Sequence, residues 1–326
     1  MLYVVLPEEK TRKVSFYLAM EEFVARNVND DDCLFYWQVE PSVVFGRNQL
    51  IGNEVNLDYC TAHGISFFRR KSGGGCIYAD MGNIMFSFVT SGENVGLTFN
   101  RYINMMVLML RRMGVKATAN GRNDIMVDGR KVSGNAFYHI PGRSIVHGTM
   151  LYDTDMENMV MSITPAGEKL KSNGVESVRQ RVALLKDYMS VGIDGFKESV
   201  RRNLCDGEYC LSAQDVAEIE AIERREYLAD SFVYGNEPRR TLTRRCRIDG
   251  VGTIEAYIEM KGETVRNVSL GGDFFALGDL DELLLARLRN VRLERQALAE
   301  ALPERLDDVI MNLRKDDFID MLVGEK

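Results

Sequence analysis

The chain has only three histidines and six cysteines in 326 residues, and none of them falls at a metal-binding spacing. Cys33, Cys60, Cys76, Cys205, Cys210 and Cys246 form no Cys-x-x-Cys pair, and no histidine stands at the interval a zinc site needs. Cysteines scattered through a chain of this length point to a reducing, cytoplasmic setting. There is no apolar run long enough to span a bilayer. The opening MLYVVLPEEKTRK is a short apolar strand followed by charges, without the basic start and cleavage site of a signal peptide. A surplus of positive charge is also missing. The formal net charge is −7, which argues against a general nucleic-acid binder. Local basic patches at residues 69–71 and 239–247 still allow acidic partners. There is no internal repeat and no low-complexity tract.

Chemistry is concentrated in residues 67–88, FFRRKSGGGCIYADMGNIMFSF. Three consecutive glycines cost backbone entropy and supply no packing. A chain accepts that where its backbone turns tightly or lies directly against a ligand. Backbone N–H groups in such a loop can converge on an anion, and Arg69 and Arg70 bring positive charge to its mouth. Asp80, Gly82 and Asn83 make a second polar turn before the next apolar strand. The implied ligand is a nucleotide phosphate or another small anion. The competing reading is a glycine-rich hairpin with two surface arginines.

A second polar cluster, NGRNDIMVDGRKVSGNA, occupies residues 120–136. Asp128-Gly129 between two apolar runs is a two-residue hairpin signal. It puts Asn123 and Asp124 at the base of one strand and Lys131 on the other, followed by Ser133, Gly134 and Asn135. Strand alternation aims Lys131 inward and Arg130 outward. An inward lysine facing a phosphate loop is a point charge for an α-phosphate or a carboxylate; the competing reading is a solvated hairpin lysine. The third element, SIVHGTML at residues 144–151, sets His147 in an apolar strand, where its polar ring needs a partner.

Apolar spacing predicts helices over residues 13–28 and 97–113, the second rich in methionines that read as core. Strands alternate with turns over residues 33–89. Residues 165–177, PAGEKLKSNGVES, read as a flexible loop. Helices are expected over 194–204 and 212–227, with Ser212 as N-cap ahead of Asp215. Composition changes at Gly235-Asn236-Glu237-Pro238, which reads as a linker. Beyond it come strands over 240–248, 253–260 and 264–270, and helices over 280–288, around Leu298 and Val309, and over 316–322.

Taken in order, these elements resemble the lipoate–protein ligase A family. The chain carries Arg69-Arg70-Lys71-Ser72-Gly73-Gly74-Gly75, then Asp80-Met81-Gly82-Asn83, then Gly121-Arg122-Asn123-Asp124. It continues with Gly129-Arg130-Lys131-Val132-Ser133-Gly134-Asn135-Ala136 and His147-Gly148-Thr149. Residues 41–49 are similar to the family's segment ahead of the first loop, 171–185 to its mobile loop and the segment that follows it, and 271–288 to its accessory domain. Two positions depart from the pattern. Leu50 stands where an asparagine is common, and Ala79 where many members have histidine, which bears on acyl-chain preference.

The resemblance implies an α+β fold. A large mixed-sheet catalytic domain of the biotin/lipoate ligase type would span residues 1–236, and a small α+β accessory domain residues 237–326. It implies an ATP-dependent lipoate–protein ligase that makes lipoyl-AMP and passes the lipoyl group to a lysine of a carrier domain. Lys131 would bridge the acyl carboxylate and the α-phosphate. Gly73, Gly74 and Gly75 would hold the phosphate, and Arg70 and Ser72 would orient the acid. Cys76, Ile77, Tyr78, Asn83, Asn123, Ser133, Gly134, Ala136, His147, Gly148 and Thr149 would line the adenylate, with Cys76 filling a small-residue slot. Asp124 would help bind Mg²⁺. The implied carriers are lipoyl domains of 2-oxoacid dehydrogenase acyltransferase (E2) subunits and the glycine cleavage H protein. The enzyme would be a cytoplasmic monomer that engages neither nucleic acid nor membrane. The alternatives are an octanoyl or lipoyl transferase of the same fold and a non-catalytic lipoyl-carrier binding protein. A transferase needs a cysteine acceptor, yet its two positions are held here by Arg143-Ser144-Ile145 and Ala119-Asn120-Gly121-Arg122.

Overall fold

The computed structural model describes residues 1–28, 32–91, 95–163, 180–235 and 238–325. The expected loop 165–177, and Asn236 and Glu237 of the expected linker, lie outside the described residues. The chain divides into two compact units. One comprises Met1–Phe45, Gly52–Arg70 and Cys76–Val233, the other Gly46–Ile51, Lys71–Gly75 and Tyr234–Lys326.

The first unit is built on strands β1 (Leu2–Val5), β2 (Cys33–Trp37), β3 (Ser42–Phe45), β4 (Ser66–Arg69), β5 (Ile77–Ala79), β6 (Asn83–Thr90), β7 (Ala117–Ala119), β8 (Asp124–Val127), β9 (Arg130–Ile140), β10 (Arg143–Leu151) and β11 (Gly207–Cys210). Eight of them form one sheet in the order β11-β1-β2-β6-β10-β9-β8-β7, and β4-β3-β5 form a second. Only β11, β1 and β2 pair in parallel in the large sheet, so it is mixed, as expected. Its central strands β6 and β10 are buried along their whole lengths, so the polar residues they carry, Asn83, Ser87, His147 and Thr149 among them, need partners inside the protein.

Helix Val14–Asn27 falls inside the expected range, but burial runs almost all round it, from Val14 to Ala25. It packs on β6 and β10 on one side and on helix Ala213–Ile222 on the other. A helix covered on two faces is apolar all round unless its polar residues find partners. Glu21 and Glu22, both at 0% exposure, find them. Arg26 Nη2 donates to Glu22 at 2.6 Å and Tyr227 donates to its other oxygen. Ser87 Oγ donates to Glu21 at 2.6 Å. Helix Ala213–Ile222 opens with the expected Ser212 cap, reciprocated by Asp215, a device worth about 1 kcal/mol. A wider turn, Glu223–Tyr227, then carries Tyr227 to Glu22.

The second unit is a meander of β12 (Leu242–Ile248), β13 (Gly252–Lys261) and β14 (Thr264–Gly272). One face of the meander joins helices Arg295–Ala301 and Lys315–Val323 in a core that includes Ile254, Ile258, Val268, Leu298, Phe318 and Leu322. Two expected helices are realised differently. The 280–288 helix breaks at Leu284 into Leu280–Leu283 and a tighter turn, Leu285–Leu288. Around Val309 there are turns in place of a helix. Leu306, Val309, Ile310 and Leu313 keep the buried helical spacing, but Ile310 bridges to Ala276 and Asn312 turns left-handed at φ 62°, which stops a helix from propagating.

Candidate active site

The β8–β9 hairpin turns at Asp128 and Gly129, both left-handed (φ 50° and 74°), as a two-residue turn of its type requires. Beyond it, Val127 pairs with Arg130 and Met126 with Lys131, and then the register slips so that Ile125 faces Ser133. Val132 is therefore the extra residue of a bulge. The bulge resets the alternation. Val132 and Ser133 are successively buried, while Arg130 and Lys131 are both half-exposed. What separates those two is their partners. Arg130 donates to the Tyr188 hydroxyl at 2.6 Å, and Lys131 Nζ lies 2.8 Å from Asp124 Oδ1.

Gly134 makes that ion pair possible: a Cβ there would stand 2.7 Å from Lys131 Nζ. Asn120 Nδ2 donates to the other Asp124 oxygen at 2.9 Å. Asn123 and Asn135 clasp each other, each side-chain amide donating to the other's backbone carbonyl at 3.1 and 2.9 Å. Gly148 sits against this clasp, where a Cβ would meet Asn135 Oδ1 at 1.8 Å. Thr149 Oγ1 accepts the Gly134 N–H at 3.1 Å. The structure thus brings Asn123, Asp124, Lys131, Ser133, Gly134, Gly148 and Thr149 together. Ala136 follows on β9, in register with His147.

His147 has the partner its setting demands. Nδ1 lies 3.0 Å from both carboxylate oxygens of Glu21, and Glu21 accepts from Ser87, whose hydroxyl in turn accepts from Trp37 Nε1 at 2.9 Å. Sequence reasoning missed Glu21, Ser87 and Trp37. The available signal was two adjacent glutamates inside the apolar run FYLAMEEFVA.

The Asp80 turn is tied by its own residues. Asp80 accepts the N–H groups of Gly82 and Asp155 at 2.9 and 2.8 Å, and burial still pushes its carboxyl above the usual range. Asn83, fully buried, donates to the Tyr78 carbonyl at 3.1 Å, and its Oδ1 accepts no hydrogen bond. Ile77 and Tyr78 pair with Val44 and Val43. The two arginines are not surface residues at a loop mouth. Arg70 is 5% exposed and donates to the Val44 carbonyl at 3.0 Å. Arg69 stacks over Phe45 and donates to the Val233 carbonyl at 3.1 Å. Burial brings both guanidinium groups down to about 10, so they stay charged at neutral pH. Cys76 is half-buried, and desolvation pushes its thiol far up.

Ser72, Gly73, Gly74 and Gly75 belong to the second unit. Ser72 is fully buried, and its carbonyl accepts the Arg47 N–H at 2.9 Å. The Gly74 N–H donates to the Phe274 carbonyl at 3.2 Å, and a Cβ on Gly73 would stand 2.5 Å from that same oxygen. The glycines therefore serve a close backbone approach, and one of the expected phosphate donors is engaged by a main-chain acceptor.

Comparison with known proteins bears on both units. Residues 13–205 match the family described as lipoyl protein ligase A/B catalytic domain, and residues 237–322 match the bacterial lipoate protein ligase C-terminus. The chain is 32% identical to the lipoate-protein ligase LplJ of Bacillus subtilis over 320 residues, 94% of this chain and 95% of that protein. A bi-partite lipoate protein ligase from Thermoplasma acidophilum, solved in a study that includes its E2 lipoyl domain, matches with a TM-score of 0.66 at 25% identity, over 74% of this chain and all of that one. A lipoate-protein ligase A bound with ATP matches with a TM-score of 0.62 at 25% identity, over 72% of this chain and 98% of that one.

Proposed function

The chain belongs to the lipoate–protein ligases, and we propose that it adenylates lipoate with ATP and then transfers the lipoyl group to a lysine of a carrier domain. The observation that carries this reading is the Lys131–Asp124 pair lying across Gly134. A lysine held there by one carboxylate can exchange it for the carboxylate of an acid. Lys131 then screens the repulsion between that carboxylate and the α-phosphate it attacks. The carboxylate oxygen forms a bond to the α-phosphorus, and pyrophosphate leaves. The ε-amine of a carrier lysine next attacks the acyl carbon of the mixed anhydride, forming the amide as AMP departs. In this reading Arg70 acts on the phosphate and Ser72 orients the acid, and the Gly74 N–H can serve the phosphate only after leaving the Phe274 carbonyl. Cys76, Ile77, Tyr78, Asn83, Ala136 and His147 line the adenylate in this reading. Asn123, Ser133, Gly148 and Thr149 keep the lysine hairpin in shape.

Mg²⁺ fits with Asp124 as its protein ligand. Among the described residues no three His, Cys, Asp or Glu gather as a metal site. A single carboxylate suits a Mg²⁺ that takes its other ligands from phosphate and water. Asp124 Oδ1 accepts no hydrogen bond apart from its ion pair. Bound there, the ion would neutralise phosphate charge. The carriers in this reading are lipoyl domains of E2 subunits and the glycine cleavage H protein, the enzyme is monomeric, and the setting is the cytoplasm. Among the described residues no helix is long and apolar enough to cross a membrane.

A thioester route through the two positions where transferases carry cysteine is absent, since those positions are Arg143-Ser144-Ile145 and Ala119-Asn120-Gly121-Arg122, and burial raises the Cys76 thiol beside the glycine loop. The test is mass spectrometry of a purified lipoyl domain incubated with the protein, ATP, Mg²⁺ and either lipoate or octanoate. The carrier should gain one lipoyl group only when ATP is present. Acyl transfer without ATP would replace the ligase reading with a transferase.

A further inference from the structure

Lys131 is gripped from a side its motif does not reveal. Its backbone carbonyl accepts the Ala183 N–H at 2.9 Å, and Lys131 forms a parallel bridge with Val182. The bulge at Val132 sits directly beside this bridge, so Lys131 is held between Met126 on one side and Val182 on the other. The preceding residue is tied to the same segment, since Arg130 donates to the Tyr188 hydroxyl at 2.6 Å. Residues 182–188 are themselves anchored. Ala183 and Leu185 are buried at 4% and 0% exposure. The Lys186 N–H donates to the Tyr152 carbonyl at 3.1 Å, and the Lys186 ammonium pairs with Asp153. Asp153 in turn gives its N–H to Gly82 at 2.7 Å, and its carbonyl would lie 2.2 Å from a Cβ there. One short strap thus joins the lysine strand, the end of β10 and the Asp80 turn.

We propose that residues 182–188 are a positioning element for Lys131, with Tyr188 its key side chain, held through Arg130. The inference rests on the ligase reading for its catalytic consequence, but not for its geometry. Main-chain bonds set where the Lys131 backbone lies. The Arg130–Tyr188 bond keeps the adjoining residue from rotating, which would swing Lys131 off Asp124 and off the acid it receives. Displacements of this kind act on the reacting geometry and not on nucleotide affinity.

The test is Tyr188→Phe, which deletes one hydroxyl from a half-buried ring. Two readouts are taken. The first is the NMR resonance of isotope-labelled dimethyl-lysine at position 131, identified by its loss in Lys131→Arg. The second is lipoate-dependent ATP–pyrophosphate exchange. The Lys131 resonance should shift while the melting temperature stays within about 2 °C. The kcat should fall about tenfold, with KM for ATP within about twofold. Arg130→Met should reproduce the effect and Arg130→Lys, which keeps a donor, should recover most of it. An unchanged resonance together with unchanged kcat overturns the proposal, as does a rate loss that only follows the loss of stability. If Tyr188→Phe does not fold, the Arg130 pair decides alone. If the wild-type protein exchanges no pyrophosphate, the ligase reading fails, and the resonance still decides whether the strap positions Lys131.

Discussion

Lys131 and Gly74 both carry donors suited to an anion, and the protein occupies them in different ways. Lys131 is matched with a side chain, Asp124, at the end of two rotatable stems. Gly74 is matched with a main-chain carbonyl, that of Phe274. A side-chain partner can be exchanged for a substrate carboxylate by rotamer changes alone. A main-chain partner can be exchanged only if one of the two backbones moves. The Lys131 donor can therefore be freed by side-chain rotation, and the Gly74 donor only by a shift of main chain.

The strongest way to break this contrast is Lys131→Ala. Pyrophosphate exchange should fall by roughly 10²- to 10³-fold or more, as when a main electrostatic donor is removed, while the half-exposed position leaves the melting temperature almost unchanged. Near-normal exchange in the folded variant would remove the hairpin from the chemistry.

Gly73→Ala probes the main-chain side. Its Cβ would stand 2.5 Å from a backbone oxygen that cannot swing aside, so a loss of about 1–3 kcal/mol is expected in denaturant titration, with adenylation reduced as well. Gly134→Ala supplies the contrast. There the obstructing atom is Lys131 Nζ at 2.7 Å, the end of a flexible side chain. Stability should drop by less than about 1 kcal/mol, while exchange falls about tenfold because Lys131 is displaced. If Gly134→Ala proves the more destabilising of the two, the contrast is wrong.

The smallest effect concerns thiols. Burial brings Cys60 and Cys205 to about 11 and pushes Cys76 higher, while Cys210 is exposed. Alkylation at pH 8, followed by mass spectrometry, should modify the exposed Cys210 first and the fully buried Cys33 and Cys60 last, with ligation retained after the first modification. Replacing all six cysteines should leave a measurable rate. Adenylation without transfer in that folded variant would point to a thioester.

What could be read in the sequence was local. The Asp128-Gly129 turn and the Ser212 cap are fixed by residues a few positions apart, and the polar cluster around Lys131 by one hairpin and its neighbouring strand, and each formed. The Glu21–His147 contact joins residues 126 apart, and no local pattern announces it beyond the oddity of two glutamates in an apolar run. The Val132 bulge defeated simple alternation, because one inserted residue resets which side chains face inward. Arg69 and Arg70 read as charge at the mouth of a loop or, in the competing reading, at the surface; here cation–π stacking on Phe45 and carbonyl acceptors offset their burial. The strap over Lys131 is joined to it by a main-chain bond and by side chains 58 positions apart, neither of which a local pattern encodes.

The Asn123–Asn135 clasp contains no ionised group. Its two amide bonds neither titrate between pH 4 and pH 10 nor feel the shielding of dissolved ions, whereas the half-exposed Lys131–Asp124 pair weakens as ionic strength rises. The cradle thus keeps its shape across buffers in which its occupant is held with varying strength. If Lys131 takes up the acid as proposed, a dependence of the acid's KM on salt would report on the balance between its two ion pairs, with Asp124 and with the acid, undisturbed by any change in the hairpin that carries it.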